Sequence, residues 1–173
     1  MKINSQKKQV GVGMVEVLVA LVLLALGVLG YTALQLKAVE AGEEALLRSQ
    51  ATLLMRGLTE SIRANPAGQS SYPASVQTYA GVTTSPSEPK VCLNAKCTAG
   101  EMATYDVYLV ARSAFNVGIN FTMATCPGIK STNRQCLFAG WGGTKFSGSN
   151  YSTCMNASGK YVNNARCLMM EAY

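Results

Sequence analysis

The chain has 173 residues, 49% of them hydrophobic, and carries a formal net charge of +6. It has no histidine, which excludes the ordinary Ser-His and Cys-His nucleophile pairs, and the few carboxylates of its second half show no paired pattern. Its basic residues are scattered, without a run and without interleaved aromatic residues, so we expect no direct nucleic-acid site. We therefore predict a protein that is not an enzyme and needs no cofactor, although an acid pair assembled only by folding stays open.

A short basic leader precedes a long uncharged segment at the amino terminus. The leader MKINSQKKQV carries three lysines and no acid, and residues 17–36 consist mainly of Leu, Val and Ala. As a helix, this segment reaches ~30 Å, about the thickness of one hydrocarbon core. A cleaved secretory signal has a shorter apolar core and a small-x-small site, which Val39-Glu40-Ala41 matches poorly. We therefore predict a retained membrane anchor, with the leader in the cytoplasm and the rest outside.

A single carboxylate, Glu16, stands at the head of the apolar segment. A carboxylate within the hydrocarbon region costs roughly 2.5–3.5 kcal/mol, so such a residue is usually partnered or functional. Alternatively, Glu16 lies at the membrane edge and only sets the depth of the anchor. The basic leader, the run Gly11-Val12-Gly13-Met14-Val15-Glu16 and the apolar helix follow one another in an order that resembles the class III signal of type IV pilins.

This resemblance implies a specific processing event at the amino terminus. In type IV pilins a prepilin peptidase cuts after the glycine and methylates the new amino terminus, and the glutamate at the fifth mature position is retained. By position, residues 1–11 are the leader, Gly11 precedes the cut, Val12 becomes the methylated first residue, and Glu16 is the assembly glutamate. Val12 departs from the Phe that is commonest there. Loss of the three leader lysines would lower the net charge from +6 to +3.

We divide the rest of the helical region into two parts. Residues 12–36 are the transmembrane and assembly helix, and residues 37–65 are its amphipathic continuation, so that one helix covers residues 13–64. Glu44 and Arg48 are spaced to form an ion pair on the solvated side, and the helix ends at Asn65 because a proline follows. Apolar residues recur at spacings of three and four on the other face: Leu47, Ala51, Leu54, Leu58 and Ile62.

Residues 66–173 are predicted to form a globular domain. Residues 67–89 are typical of a long surface connection, with one short strand at 76–79. Thr98 and Glu101 have the spacing of a capping box and predict a helix at about 99–113. Apolar residues of that segment also recur at every second position, as in a β-strand, so a strand is the alternative to this helix.

Three β-strands are predicted in the last third of the chain. Residues 119–125 and 135–141 are rich in β-forming residues between Gly, Pro and Asn clusters, and residues 165–173 add a third strand. Together the elements predict an α+β fold in which the long amino-terminal helix packs against a small antiparallel β-sheet.

All six cysteines follow the anchor. An even number of cysteines in a domain outside the cytoplasm predicts disulfides, for which the sequence permits fifteen pairings. Without histidine or a C-x-x-C spacing, we predict no metal site. We favour pairing between neighbours, because each pair then closes a loop in a turn-rich region: Cys92 with Cys97, Cys126 with Cys136, and Cys154 with Cys167.

A broader resemblance covers about half of the chain. The segment GMVEVLVALVLLALGVLG, a helix ending in SIRANPAG and the stretch CTAGEMATYD are similar to minor pilins of the PilV type. The resemblance implies a subunit that joins other minor pilins to initiate pilus assembly and supports adhesion, twitching motility or DNA uptake. Implied partners are the major pilin, the prepilin peptidase, the pilus assembly platform and a tip adhesin. The implied location is the inner membrane of a Gram-negative bacterium, with a periplasmic domain, and then the pilus at the cell surface.

Two other interpretations stay open. A minor pseudopilin of a type II secretion system would share the first thirty residues, because that machinery uses the same peptidase. In a different class, the chain could be a periplasmic enzyme or binding domain on an uncleaved single-pass anchor. A methylated Val12 at the mature amino terminus would argue against this second class.

Overall fold

A computed structural model describes residue 11, residues 13–128 and residues 133–173, which excludes Val12 and the first ten residues of the expected leader. The described chain divides into two compact units, the first ending at Glu43 and the second covering Glu44–Tyr173. The helices are α1 (Met14–Ala64), a 3-10 helix (Pro66–Ser71), α2 (Tyr72–Thr78) and α3 (Ala99–Asn116), and the strands are β1 (Ile119–Thr125), β2 (Gln135–Trp141) and β3 (Cys167–Glu171).

Helix α1 ends at Ala64 as the sequence predicts and begins one residue after the predicted start, and its second part carries the expected buried face. Five of its residues are buried in the second unit: Ala51, Met55, Leu58, Thr59 and Ile62. The leucines Leu47 and Leu54 pack at the edge of the same cluster and are partly buried. The spacing of three and four therefore identified the face of α1 that packs in the core.

The predicted ion pair between Glu44 and Arg48 is wrong. The Glu44 carboxylate instead accepts a hydrogen bond from Trp141 Nε1 at 2.9 Å and lies 3.7 Å from Arg166 Nε. A buried indole N–H needs an acceptor, and Glu44 is the carboxylate that α1 brings to it. An ion pair with an exposed arginine contributes little, so the indole determines where this side chain points.

The predicted strand at 76–79 is wrong, because residues 66–78 are helical, whereas residues 79–89 form an irregular connection as predicted. The Asn65 side chain accepts a hydrogen bond from the Gly68 amide at 3.2 Å and begins the 3-10 helix, with Pro66 in its first turn. Helix α2 follows directly. Tyr72 and Val76, four residues apart, are both fully buried on its inner face. Both short helices contain Ser and Pro, and the first also contains Gly, so their composition is turn-like. The packing of Tyr72 and Val76 decides the structure.

Helix α3 confirms the predicted capping box. Thr98 Oγ1 accepts from the Glu101 amide at 3.2 Å, and Glu101 Oε2 accepts from the Thr98 amide at 2.8 Å. The helix continues three residues beyond the predicted end and stops before Gly118, whose φ of +73° suits glycine. The Lys90 ammonium, 2.9 Å from Glu101, and the Thr98 amide lower the pKa of the Glu101 carboxyl.

The three strands form one antiparallel sheet in the order β1-β2-β3, and the bounds of β1 and β2 agree with the prediction. Strand β3 is shorter than predicted. Alternate residues of each strand face opposite sides. Leu137 and Trp141 pack in a cluster with α1, α2 and α3, whereas Cys136 and Phe138 pack in a second cluster on the other side. The predicted α+β fold, a long amino-terminal helix with a small antiparallel sheet, is confirmed.

A buried tyrosine joins three helical segments of the second unit. The Tyr72 hydroxyl donates to Asp106 Oδ2 at 2.6 Å and lies 3.2 Å from the Ser61 carbonyl oxygen. Asn65 Nδ2 lies 3.4 Å from the same hydroxyl and donates to the Ala99 carbonyl oxygen at 2.8 Å. Burial raises the pKa of Tyr72, and the hydrogen bond to Asp106 raises it further. The neutral tyrosine is therefore the form that the fold stabilises.

We expect this tyrosine to make the fold sensitive to alkaline pH. Folding raises the pKa of Tyr72. The contribution of this residue to the free energy of unfolding is therefore complete at pH values below its pKa in the unfolded chain, about 10, and is lost as the pH rises beyond that value. A Tyr72→Phe variant should lose about 0.5–1.5 kcal/mol of unfolding free energy at neutral pH. Above pH 10 its stability should then fall less steeply than that of the parent. Urea denaturation at pH 7 to 11 measures both quantities, and parallel curves would contradict the assignment.

Candidate functional site

Two glycines flank the residue predicted to become the mature amino terminus. Gly11 and Gly13 are exposed, and a Cβ atom added at either position would meet no other atom within 4 Å. Packing within the described residues therefore does not require glycine at position 11. A glycine that packing does not require is compatible with recognition by another protein. Val12, the residue expected to be methylated, lies outside the described residues.

Glu16 lies in the first turn of α1. Its amide donates to the Gly13 carbonyl oxygen at 2.9 Å, and its side chain is exposed. A carboxylate in the first turn is favoured by the partial positive charge at the amino end of a helix. Among the described residues, none forms an ion pair or a side-chain hydrogen bond with Glu16. Its carboxylate is thus available to a charge outside this part of the chain.

The first unit leaves a long apolar surface uncovered. Every side chain from residue 14 to residue 43 is exposed, with Leu18 at 60% and Leu34 at 71% of full exposure. By length and composition, α1 could cross a membrane, with a mean hydropathy of 2.6 in its most apolar window. A signal sequence at the same position would meet these criteria too. So large an apolar surface needs lipid or other apolar helices around it.

Three disulfides connect neighbouring cysteines in the second unit, in the pairing that we favoured: Cys92–Cys97, Cys126–Cys136 and Cys154–Cys167. The second disulfide joins Cys126, which directly follows β1, to Cys136, which lies near the start of β2. The third joins the loop after β2 to the start of β3, and both of its cysteines are buried. With every cysteine in a disulfide, none is available as a thiolate nucleophile or as a metal ligand.

The described residues form no cluster of three His, Cys, Asp or Glu side chains suited to a metal ion. Of the carboxylates in the second half, Asp106 accepts from Tyr72, and Glu171 lies 2.9 Å from Arg134 Nε. An apolar cavity of about 20 Å³ lies beside Leu58 and Phe115. It has room for about one water molecule.

Comparison with known proteins shows that part of the chain is similar to one protein family. Residues 33–108 match the family model described as Tt1218-like, Type IV pilin Tt1218. The match includes the second part of α1, the short helices and most of α3, and it does not reach Gly11, Glu16 or the sheet. No curated protein and no solved structure matches the chain. Over these residues the chain is therefore similar to type IV pilins.

One feature with functional potential was not predicted from the sequence, namely the outer edge of β3. The sequence places a strand near the carboxyl end but does not indicate the order of strands in the sheet. The order β1-β2-β3, which the structure shows, places the last strand at an edge. No local residue pattern encodes this order, because it depends on where the connections cross the fold.

Proposed function

We propose that the chain is a minor pilin that joins other minor pilins to initiate type IV pilus assembly and supports adhesion, twitching motility or DNA uptake. The observation that carries the proposal is the uncovered apolar surface of residues 17–36, with the unpaired carboxylate of Glu16 at its head. The similarity of residues 33–108 to type IV pilins supports it independently, because that match lies outside the processing motif.

In this proposal each segment of the chain has its own role. Residues 1–11 are the leader that the prepilin peptidase removes, and residues 12–36 are the transmembrane and assembly helix. Residues 37–65 continue this helix, and residues 66–173 form the disulfide-containing domain. The domain faces the periplasm and later the cell surface, where disulfides persist. The partners are other minor pilins, the major pilin, the assembly platform and a tip adhesin.

Glu16 would act between subunits. Cleavage after Gly11 creates an amine on Val12, for which a pKa near 7.7–8 is normal, and methylation keeps it basic. When subunits leave the bilayer and their helices pack together, both charges become buried in apolar surroundings, where neither is tolerated alone. The amine of a neighbouring subunit would pair with Glu16. Such a pair would fix the axial position of one subunit against the next.

We expect a Glu16→Ala variant to insert into the membrane and to be cleaved normally but to enter filaments poorly. The matched control is Glu43→Ala, which removes an exposed carboxylate from the same helix outside the apolar segment. Quantitative mass spectrometry of sheared pili and of the membrane fraction measures both steps. Equal recruitment of Glu16→Ala and the parent protein would refute the intersubunit role, and a defect shared by Glu43→Ala would show that the effect is not specific.

Deletion of the gene separates the pilus from the secretion system. A pseudopilin of type II secretion has the same kind of amino-terminal segment, so this segment cannot distinguish the two. Loss of surface pili with normal enzyme secretion would support the proposal. Loss of secreted enzymes with normal pili would assign the chain to type II secretion instead.

A further inference from the structure

The pairing of β3 (Cys167–Glu171) leaves one row of its peptide groups unused. The Trp141 amide donates to the Arg166 carbonyl oxygen at 3.0 Å, and the Ala172 amide donates to the Gln135 carbonyl oxygen at 2.9 Å. These bonds lie at the two ends of the β2–β3 pairing. Antiparallel strands form backbone hydrogen bonds at alternate residues. The N–H and C=O groups of the even-numbered residues of β3 therefore point towards β2, and those of the odd-numbered residues point away from it.

The two outer edges of the sheet differ in whether another part of the chain covers them. On the β1 side, Gln77 of α2 donates from Nε2 to the Met123 carbonyl oxygen at 2.8 Å, so a helix covers this edge. On the β3 side, none of the described residues bonds to the outward peptide groups of Met169 and Glu171. Met169 is half-buried and Glu171 is exposed, whereas Cys167 is buried. The accessible edge is therefore the carboxyl-terminal part of β3.

An open groove of about 500 Å³ runs beside this edge, between β3 and α1. From α1 it is lined by Arg56, Thr59, Glu60 and Arg63. The floor on the β3 side is Met170, whose sulfur lies 3.9 Å from Thr59 Oγ1. A strand added beside β3 would place alternate side chains over this groove, because successive side chains point to opposite faces.

The charges of the groove are partly compensated. Glu60 lies 3.0 Å from Arg63, and Glu171 lies 2.9 Å from Arg134. Arg56 forms no ion pair and no side-chain hydrogen bond with any residue of the described chain. The groove therefore has an unmatched positive charge. A carboxylate is the group that would complement it, and a guanidinium can bind both carboxylate oxygens at once.

We propose that the β3 edge binds an extended segment of a partner polypeptide, which adds a fourth strand to the sheet and places a carboxylate against Arg56. The unused amide and carbonyl groups select an extended backbone, because only a strand presents matching groups at every second residue. A second copy of β3 fits less well, because its residues on the α1 side, Leu168 and Met170, offer no carboxylate to Arg56. The residues of this binding site all lie in the second unit, so the proposal does not depend on the proposed cleavage after Gly11.

Purified full-length protein in detergent micelles tests the proposal without any pilus. The probe is the peptide acetyl-Thr-Val-Glu-Val-Glu-Val-Thr-amide. At a peptide concentration ten times the dissociation constant, we expect hydrogen exchange of the Met169 and Glu171 amides to slow about tenfold. Replacing both glutamates of the peptide by lysine should abolish the effect. N-methylation of the peptide amides that would face β3 should also abolish the effect, because these amides would donate hydrogen bonds to the outward carbonyl groups of β3.

Two pairs of variants locate the binding. Arg56→Ala should weaken binding at least severalfold, whereas Arg48→Ala, which removes an exposed arginine from the same helix outside the groove, should not. Met169→Pro removes an amide that has no partner and should block binding, whereas Met169→Ala should bind normally. If Met169→Pro does not fold, the N-methylated peptide provides the same test.

Several results would overturn the proposal. Unchanged exchange of the Met169 and Glu171 amides at the solubility limit of the peptide would show that the edge accepts no such strand. Equal binding by the parent protein and Arg56→Ala would remove the requirement for a carboxylate. Slow exchange of these two amides that depends on protein concentration without any peptide would show that a second copy occupies the edge.

Discussion

A Gly11→Val variant is expected to accumulate in the membrane as a species eleven residues longer than the processed chain. The expectation rests on the exposed position of Gly11, at which an added Cβ atom meets no atom of the described chain within 4 Å. A valine there should leave the anchor and the domain intact. It should interfere only with a peptidase cleft that accepts the bare backbone before the cut. Because cleavage creates the amine proposed to pair with Glu16, the uncleaved chain should also be absent from filaments.

Gly13→Val is the matched control. Gly13 is equally exposed, and an added Cβ there also meets nothing within 4 Å, but it lies after the proposed cut. Intact mass of both variants and of the parent protein gives the comparison directly. A product of normal size from Gly11→Val would remove the cleavage assignment. Blocked processing of Gly13→Val as well would show that the effect is general to the segment.

Replacing Trp141 by alanine should have the largest effect on the stability of the second unit. The side chain is fully buried at the end of β2, in the cluster that joins the sheet to α1. Its removal leaves a large cavity, which typically costs about 3–5 kcal/mol. It also leaves Glu44 without the indole N–H that it accepts from. Because Trp141 is the only tryptophan, circular dichroism rather than fluorescence must follow urea unfolding.

Two further variants separate packing from the hydrogen bond. Trp141→Phe keeps most of the buried apolar surface and should lose less stability than Trp141→Ala. Leu53→Ala truncates an apolar residue of α1 that is 66% exposed, and its effect should stay within about 0.5 kcal/mol. A Trp141→Ala variant no less stable than Leu53→Ala would contradict the placement of the indole in the core.

The elements that depend on neighbouring residues could be predicted from the sequence. The end of α1 follows from Asn65-Pro66, and the start of α3 follows from the bonds between Thr98 and Glu101. Strands β1 and β2 have the predicted bounds, because turn-forming residues stop each run of β-forming ones. The three disulfides join cysteines only 5, 10 and 13 residues apart, so a rule based on nearness in sequence found them.

The sequence by itself therefore determined the long apolar helix, the order of the main elements and the processing hypothesis, since each rests on composition or spacing within a few turns of chain. Only the tertiary structure decided that residues 72–78 are helical, because the burial of Tyr72 outweighs the turn-like composition. It also decided the role of Glu44, whose partner Trp141 is 97 residues away. The open edge of β3 is likewise a feature that only the tertiary structure decided. Contacts between distant residues arise from the packing of whole elements, and no local pattern carries that information.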